Sequence, residues 1–350
     1  ATRVPAGGAL AVDRESFSAY ITQRIERHPN IRLIREEVTE IGSDTPVIVA
    51  TGPLSSSGIS DSIAKLVQQK HLYFYDAAAP IVIYASLNLD RVFRASRYGR
   101  GEDDYINCPM NREEYLAFYQ ELTHAEEAPM NEFEDSRVFE GCMPIEIMAK
   151  RGIDTIRFGP LKPVGLRNPA TGKEAFAVVQ LRQDDARGTL YNMVGFQTHL
   201  KFGEQKRVFS MIPGLENAEF ARYGVMHRNT FLHSPELLDC FYRLKSRPDI
   251  FFAGQLTGVE GYMESASSGL LAGYNLARIL KGKEPVDFTD QTVMGALAHY
   301  ISRPVVRDFQ PMNATFGIVA PLGKRIRNKR EKNQAVAERA LETLRIKLTD

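Results

Sequence analysis

The sequence predicts an α/β protein in which one α/β domain, read in two pieces, is interrupted by an inserted α+β domain. Three observations predict it. The run "TPVIVATG" is a short, nearly continuous apolar strand ending in Thr51-Gly52, the pattern of a buried parallel strand. From about residue 73 to 250 short apolar runs alternate with Gly, Pro and Asn, which is strand-rich α+β texture. At 250 a strand, a glycine-rich turn and a helix follow in order in "DIFFAGQLTGVEGYMESASSGLLAGYNLARILKG", so the α/β pattern returns.

Taken in order, Phe17, Tyr20, Ile21 and Ile25 stand at helical spacing and predict a helix over residues 14–28, stopped at "HPN". "IRLIREEVTEI" (31–41) alternates and reads as a strand. "DSIAKLVQQ" adds a helix with Asp61 as its N-cap. In the middle, "NREEYLAFYQELTHAEE" has Asn111 as N-cap and Glu114 three residues on, the spacing of a capping box. Beyond 285 a Pro-containing connection leads to "FQPMNATFGIVAPLG", and the chain closes with the charged helix "KREKNQAVAERALETLRIKL". The expected domains are 1–104 (first part of the α/β domain), 105–249 (inserted) and 250–350 (second part, with the basic C-terminal helix).

Composition excludes several classes. With 44 basic and 43 acidic residues in 350, nothing global marks a polyanion partner, so any basic surface is local. Three cysteines without CxxC spacing argue against a disulfide framework and against a structural zinc site, and no metal ligand set is expected. A reducing cytoplasm is the natural compartment. No apolar run approaches the roughly 18–20 residues of a membrane span, so no membrane partner is expected. The opening "ATRVPAGGALAVDRE" lacks a signal-peptide core; its Ala start and loop-like composition suggest that something normally precedes it.

Two stretches carry chemistry. In the 250–280 segment Gly254, Gly258 and Gly261 permit a turn without bulk, and Ala266, Gly269 and Gly273 share one helical face. Such a helix start suits a pyrophosphate or the electron-rich edge of a flat ring, or a tight helix–sheet contact with no ligand. The other is "VFEGCMPIEIMAKRG", where Cys142 sits between a glycine and a Met-Pro pair. Cys142 is a small buried hydrophobe, half of a disulfide, or a thiolate held by the backbone beside a reacting ring. Cys240, in "LLDCFYRL", reads as core on an apolar helical stripe. "GKRIRNKREK" holds six cations (Lys324, Arg325, Arg327, Lys329, Arg330, Lys332) against Glu331, a backbone-binding tail for nucleic acid.

"AGQLTGVEGYMESASSGLLAGYNLAR" looks like the glucose-inhibited-division family of tRNA-modifying flavoproteins. "YINCPMNREEY", "FEGCMPIE", "DTIRFGPLKPVGL", "TLYNMVGFQT", "GEQKRVFSMIPGLENAEFARYGVMHRNT" and "FQPMNATFG" narrow the resemblance to the folate- and FAD-dependent tRNA uracil-5-methyltransferases. It runs from residue 3 to the C-terminus. It implies an incomplete Rossmann-like FAD-binding domain around the insert. The implied reaction is methylation of the T-loop uracil (position 54 of tRNA), with methylenetetrahydrofolate as carbon donor, reduced FAD as methylene carrier and NADH or NADPH as reductant. The family opens with a GxGxxG turn and a second cysteine. Neither is present here, so an N-terminally truncated chain with weak unaided FAD binding is expected.

The resemblance also assigns residues. Cys142 matches one of the two catalytic cysteines, as nucleophile or as base. Gly254, Gln255, Gly258, Gly261, Tyr262, Glu264 and Ser265 face the flavin, and Thr51 and Gly52 line the adenosine side. Cys108, in "YINCPM", either supports the site or packs beside its proline. His199 and His227 either stack on a pterin or are ordinary histidines. Apart from the resemblance, Lys162, Arg182 and Arg228, with Arg157, Lys206 and Arg207, are cations between glycine turns that suit tRNA phosphates or the folate glutamate tail, or are ordinary solvated charge. Alternatives are a relative modifying the wobble uridine or a ribosomal RNA uracil, or an inactive RNA-binding fragment.

Overall fold

The computed structural model describes residues 2–42, 46–68, 72–100, 102–129, 143–304 and 309–349. The chain forms two compact units, one of Ala1–Arg35 with Tyr75–His227, the other of Glu36–Phe74 with Arg228–Asp350. The boundaries expected from texture were 104 and 249; these units part at 35, 74 and 227.

The first unit is built on an antiparallel sheet. Among the described residues its strands run in the order Phe220–Arg222, Ile81–Ile83, Leu190–Met193, Ala177–Gln183, Tyr105–Met110 and Phe93–Arg94. The Ala177–Gln183 strand carries Val178, Val179 and Leu181 and buries its first five positions, which suits a central strand. Its register against Tyr105–Met110 sets Arg182 opposite Tyr105 and Gln180 opposite Asn107. The helix Arg112–His124 packs on this core through Tyr115, Phe118 and Leu122. Its start carries the expected capping box: Glu114 N donates to Asn111 Oδ1 and Asn111 N to Glu114 Oε2. Cys108, Met110, Phe196 and Phe209 belong to the same core. Each large apolar side chain sealed there contributes about 1.5–3 kcal/mol.

The helix expected over 14–28 is present as Arg14–Glu26, capped by Asp13, which accepts from Ser16 N at 2.8 Å. That bond and the one from Ala186 N hold the Asp13 carboxyl below its ordinary range. None of its residues is buried.

The second unit holds a three-stranded sheet, Arg243–Leu244, Arg247–Phe252 and Val47–Val49, in which the last two run parallel. The helix Ser57–Val67 buries Ile59, Ile63 and Val67. The helix Tyr262–Leu280 buries Ser268, Leu271, Ala272 and Asn275. Val293–Ser302 is capped by Thr292, and Lys329–Thr349 buries Val336. No helix among the described residues is long and apolar enough to cross a membrane.

Three local expectations are corrected. Residues 31–41 form no strand; Ile31, Leu33, Ile34 and Val38 are exposed. An alternating run becomes a strand only where a neighbour takes its backbone groups. Asp61 lies inside its helix, which begins at Ser57 with Ser56 as the extended cap residue. Cys240 sits in the turn between Ser234–Leu237 and Arg243–Leu244, not on a helix. There Asp239 collects the N–H groups of Phe241 and Arg243 and bends the chain.

Candidate active site

In the second unit the parallel strands Val47–Val49 and Arg247–Phe252 end side by side, tied by Ala253 N donating to Val49 O at 2.9 Å. Thr51-Gly52 and Gly254 therefore leave the sheet at neighbouring carboxyl ends, the place where open α/β sheets bind ligands. Ser55 Oγ lies 2.6 Å from Thr51 Oγ1 and donates to Gly52 O at 2.8 Å, which closes the first turn. Beyond Gly254 the chain makes a single 3₁₀ turn, Gln255–Thr257, before Gly258 and Gly261.

Glycine is demanded at two of these positions. Gly258 has φ 81° and a Cβ there would lie 2.5 Å from the Phe309 ring. Gly261 has φ 114° and its Cβ would strike the Glu264 carboxylate. Glu264 is held in turn by Ala314 N, which donates to Oε1 at 3.0 Å. Gln255 donates to Glu260 at 2.6 Å, and Gly254 N donates to Ser268 Oγ at 2.7 Å.

Gly261 caps Tyr262–Leu280 and offers no side chain to the helix's first N–H groups, and Glu264 is the one acid in that first turn. Tyr262 is 88% exposed, so it fills no core. Along the helix a Cβ at Gly269 or Gly273 would meet nothing within 4 Å, and Ser267 Oγ is buried without a partner. An open, thin helix face behind a glycine-capped helix start fits a flat ring, so these residues fit the flavin the resemblance implies. Thr51, Gly52, Gly254, Gln255, Gly258, Gly261, Tyr262, Glu264 and Ser265 are all brought to this one end of the second unit.

In the first unit His199 is 7% exposed and lines a cavity of about 410 Å³ with Lys201, Phe202 and Met226. His199 N donates to Glu146 Oε1 at 2.7 Å, and Thr198 Oγ1 donates to Glu146 Oε2 at 2.9 Å. Glu146 is fully buried. Burial raises its pKa against the pull of those two hydrogen bonds. Cys142 lies outside the described residues; the described chain resumes at Met143 and runs into Glu146.

The remaining sequence candidates are scattered. Lys162 and Arg182 are half-buried, and His227 is exposed. Arg228 stands in the strand Met226–Phe231, with its side chain outside the description. Arg207 is paired with Glu204 and Glu121, and Arg157 lies 4.1 Å over the Phe176 ring. Cys108 is buried in the sheet, and burial pushes its thiol far up; it is a packed thiol. Burial and the nearby Asp287 push the Cys240 thiol up to about 11. Among the described residues Cys240, Asp287 and His299 place donors within 4.8 Å of one another, with His299 Nε2 already 2.8 Å from Asp287 Oδ1. Glu146 has one sequence signal only, a carboxylate inside the apolar run "MPIEIMA", and Arg97 has none.

The family model "Glucose inhibited division protein A" matches residues 1–284. The chain is 59% identical over 342 residues to the methylenetetrahydrofolate–tRNA-(uracil-5-)-methyltransferase TrmFO of Bacillus licheniformis, covering 98% of this chain and 79% of that protein. It is 60% identical to the proteins of the same name from Ligilactobacillus salivarius and Listeria monocytogenes, covering 98% of this chain and 78% and 79% of theirs. The structure of Aquifex aeolicus GidA superposes with a TM-score of 0.64 at 16% identity, over 87% of this chain and 54% of that one. The chain thus spans about half of GidA, a likeness of fold. A glycine turn at the ends of two parallel strands, a GidA-type fold and near-complete alignment at about 60% identity agree: the chain belongs to the methylenetetrahydrofolate–tRNA-(uracil-5-)-methyltransferase TrmFO family of GidA-type flavoproteins.

Proposed function

We propose that the chain methylates uracil C5 in the T-loop of tRNA, at position 54, with methylenetetrahydrofolate as carbon donor and Cys142 as a reacting thiol. The observation that carries this reading is the 59–60% identity, over 98% of the chain, to enzymes named for tRNA uracil-5 methylation. FAD, when bound, supplies the redox-active ring that carries and reduces the one-carbon unit, with NADH or NADPH as the reductant. The cytoplasm is the proposed compartment.

The chain's own residues do the rest. Uracil C5 is a poor nucleophile. A thiolate added at C6 makes C5 enolate-like; after C5 takes the new carbon, a base removes its proton and the thiol leaves. Cys142 is one of the two sulfurs this sequence of steps uses. Thr51, Gly52 and the Gly254–Ser265 turn hold the cofactor through backbone and small side chains, with Tyr262 and Glu264 at its ring. His199 and His227 pack on the pterin. Lys162, Arg182, Arg228 and the cations of 324–332 take RNA phosphates. The test is methyl transfer from labelled methylenetetrahydrofolate to a T-loop minihelix by the FAD-loaded enzyme. Cys142→Ala is expected to abolish it; normal turnover by that variant removes Cys142 from the chemistry.

A further inference from the structure

A second cavity of the first unit, about 450 Å³, lies among Gly7, Gly8, Arg97, Tyr98, Arg100 and Tyr105. Its half-buried guanidinium, Arg97, is fixed from behind. Nη1 donates to Val164 O at 2.5 Å and Nη2 to Gln180 Oε1 at 3.0 Å. Gln180 Nε2 donates to Asn107 Oδ1 at 3.0 Å. The fully buried Asn107 donates its own amide to the carbonyls of Phe93, Ala95 and Tyr105. Each link in this relay is satisfied, so the arginine is held rather than left to sample rotamers.

Every acceptor in the relay is neutral. No carboxylate comes within ion-pairing distance of Arg97 or Arg100 among the described residues. The acids that follow in sequence do not compensate: Asp104 accepts from Gly7 N at 2.5 Å instead. Burial lowers the Arg97 pKa, and the Tyr98 phenol beside it opposes that only in part. A partly desolvated cation without a counter-ion is costly, and a preorganised arginine fork suits phosphate or carboxylate.

The surroundings favour an extended anion over a compact one. Arg100 lies 5.7 Å over the Tyr98 ring, which is 56% exposed. Arg182, directly opposite Tyr105 across the sheet, puts a third cation on the same face. The turn that presents Arg97 and Arg100 is held firmly. Tyr98 adopts φ 60°, its N–H donates to Gly165 O at 2.9 Å, and its ring covers Gly165 so closely that a Cβ there would lie 2.5 Å away.

We infer that this cavity seats a phosphodiester of the tRNA backbone on Arg97 and Arg100, with Tyr98 against the adjoining ribose or base and Arg182 toward the next phosphate. The inference rests on the tRNA reading above and adds to it a specific docking point. It is tested by anisotropy titration of a labelled T-arm minihelix across a salt series, using the full chain, with folding of each variant checked by circular dichroism. Arg97→Gln is expected to weaken binding about tenfold or more and to flatten the log K against log salt slope by about 1. Arg100→Gln is expected to act in the same direction. Arg97→Lys is expected to restore the slope but not the affinity, because the charge returns without the fork. Arg24→Gln, on an exposed helix of the same unit, is the control and is expected to change neither. If the wild-type chain binds the minihelix and Arg97→Gln and Arg100→Gln bind it equally well, the cavity is no RNA site while the tRNA reading stands. If the wild-type chain shows no salt-sensitive binding, both fall. A polyglutamyl folate arm separates the other anion: loss of that binding with RNA affinity intact assigns the arginines to carboxylates and overturns the phosphodiester.

Discussion

Gly269→Ala and Gly273→Ala set two effects of opposite sign against each other. Both glycines lie inside the helix Tyr262–Leu280, and an added Cβ at either meets nothing within 4 Å. In the ligand-free chain the change therefore costs no packing and removes the entropic penalty of a mid-helix glycine, a gain of roughly 0.5–1 kcal/mol per site. For a unit of this class that is a rise in Tm of about 2–4 °C per kcal/mol. With FAD the sign reverses. A flat ring in contact with this stripe has to retreat by about the thickness of a methyl group, and even a gap of 0.5–1 Å forfeits about a quarter to a half of each dispersion contact. A tenfold rise in Kd, about 1.4 kcal/mol, is the expected scale. Thermal melts of the apo chain and a flavin-fluorescence titration read the two effects separately. Variants that are stabilised yet bind FAD like the wild type would show that the thin face serves something other than the cofactor.

Three further outcomes are expected. Gly258→Ala combines a left-handed backbone penalty of roughly 1–2 kcal/mol with overlap on Phe309 of about 1–3 kcal/mol, since its Cβ would lie 2.5 Å from that ring; a urea midpoint equal to wild type contradicts this. Glu146→Gln tests the buried carboxyl: burial raises its pKa from 4.5, so the folded chain holds this proton more tightly than the unfolded one. Its contribution to stability is complete below the unfolded pKa and falls as pH rises toward the folded value. Gln cannot ionise, so the wild type should lose more stability than the variant as pH rises above the ordinary carboxylate range, and parallel urea-melt profiles would oppose the assignment. Replacing Lys324, Arg325 and Arg327 by Gln removes exposed cations and should lower tRNA affinity and flatten its salt slope; an unchanged slope makes the tail ordinary surface charge.

What could be read from the sequence was what the chain fixes over a few residues. The Asn111–Glu114 box predicted a helix start, and the structure has it because both partners lie within one turn. The glycine spacing at 254, 258 and 261 predicted a turn without bulk, and positive φ at all three bears it out. Elements needing a distant partner read poorly. The alternation at 31–41 promised a strand, but no neighbour supplies a ladder there. Phe17, Tyr20, Ile21 and Ile25 have the right period, yet all remain 37–48% exposed. Asp61 looked like a cap because it precedes an apolar run, whereas the helix starts at Ser57, where the preceding Ser56 is extended.

The same distinction explains why the cofactor end was visible and the arginine cavity was not. Around Gly254–Ser265 the constraint works through the backbone: residue identity is fixed wherever a Cβ would strike Phe309 or Glu264, so glycine itself marks the turn. Arg97 depends instead on register. Asn107 faces Gln180, and Tyr105 faces Arg182, only because these strands pair as they do. A slip of one residue would turn every one of these side chains to the opposite face. Asn107, Gln180 and Arg97 are ordinary polar residues in the sequence; across 73 and 83 residues of chain they become one hydrogen-bonded support. An antiparallel sheet can therefore carry a preorganised cation that no local motif announces, and a polyanionic substrate is the kind of partner that rewards it.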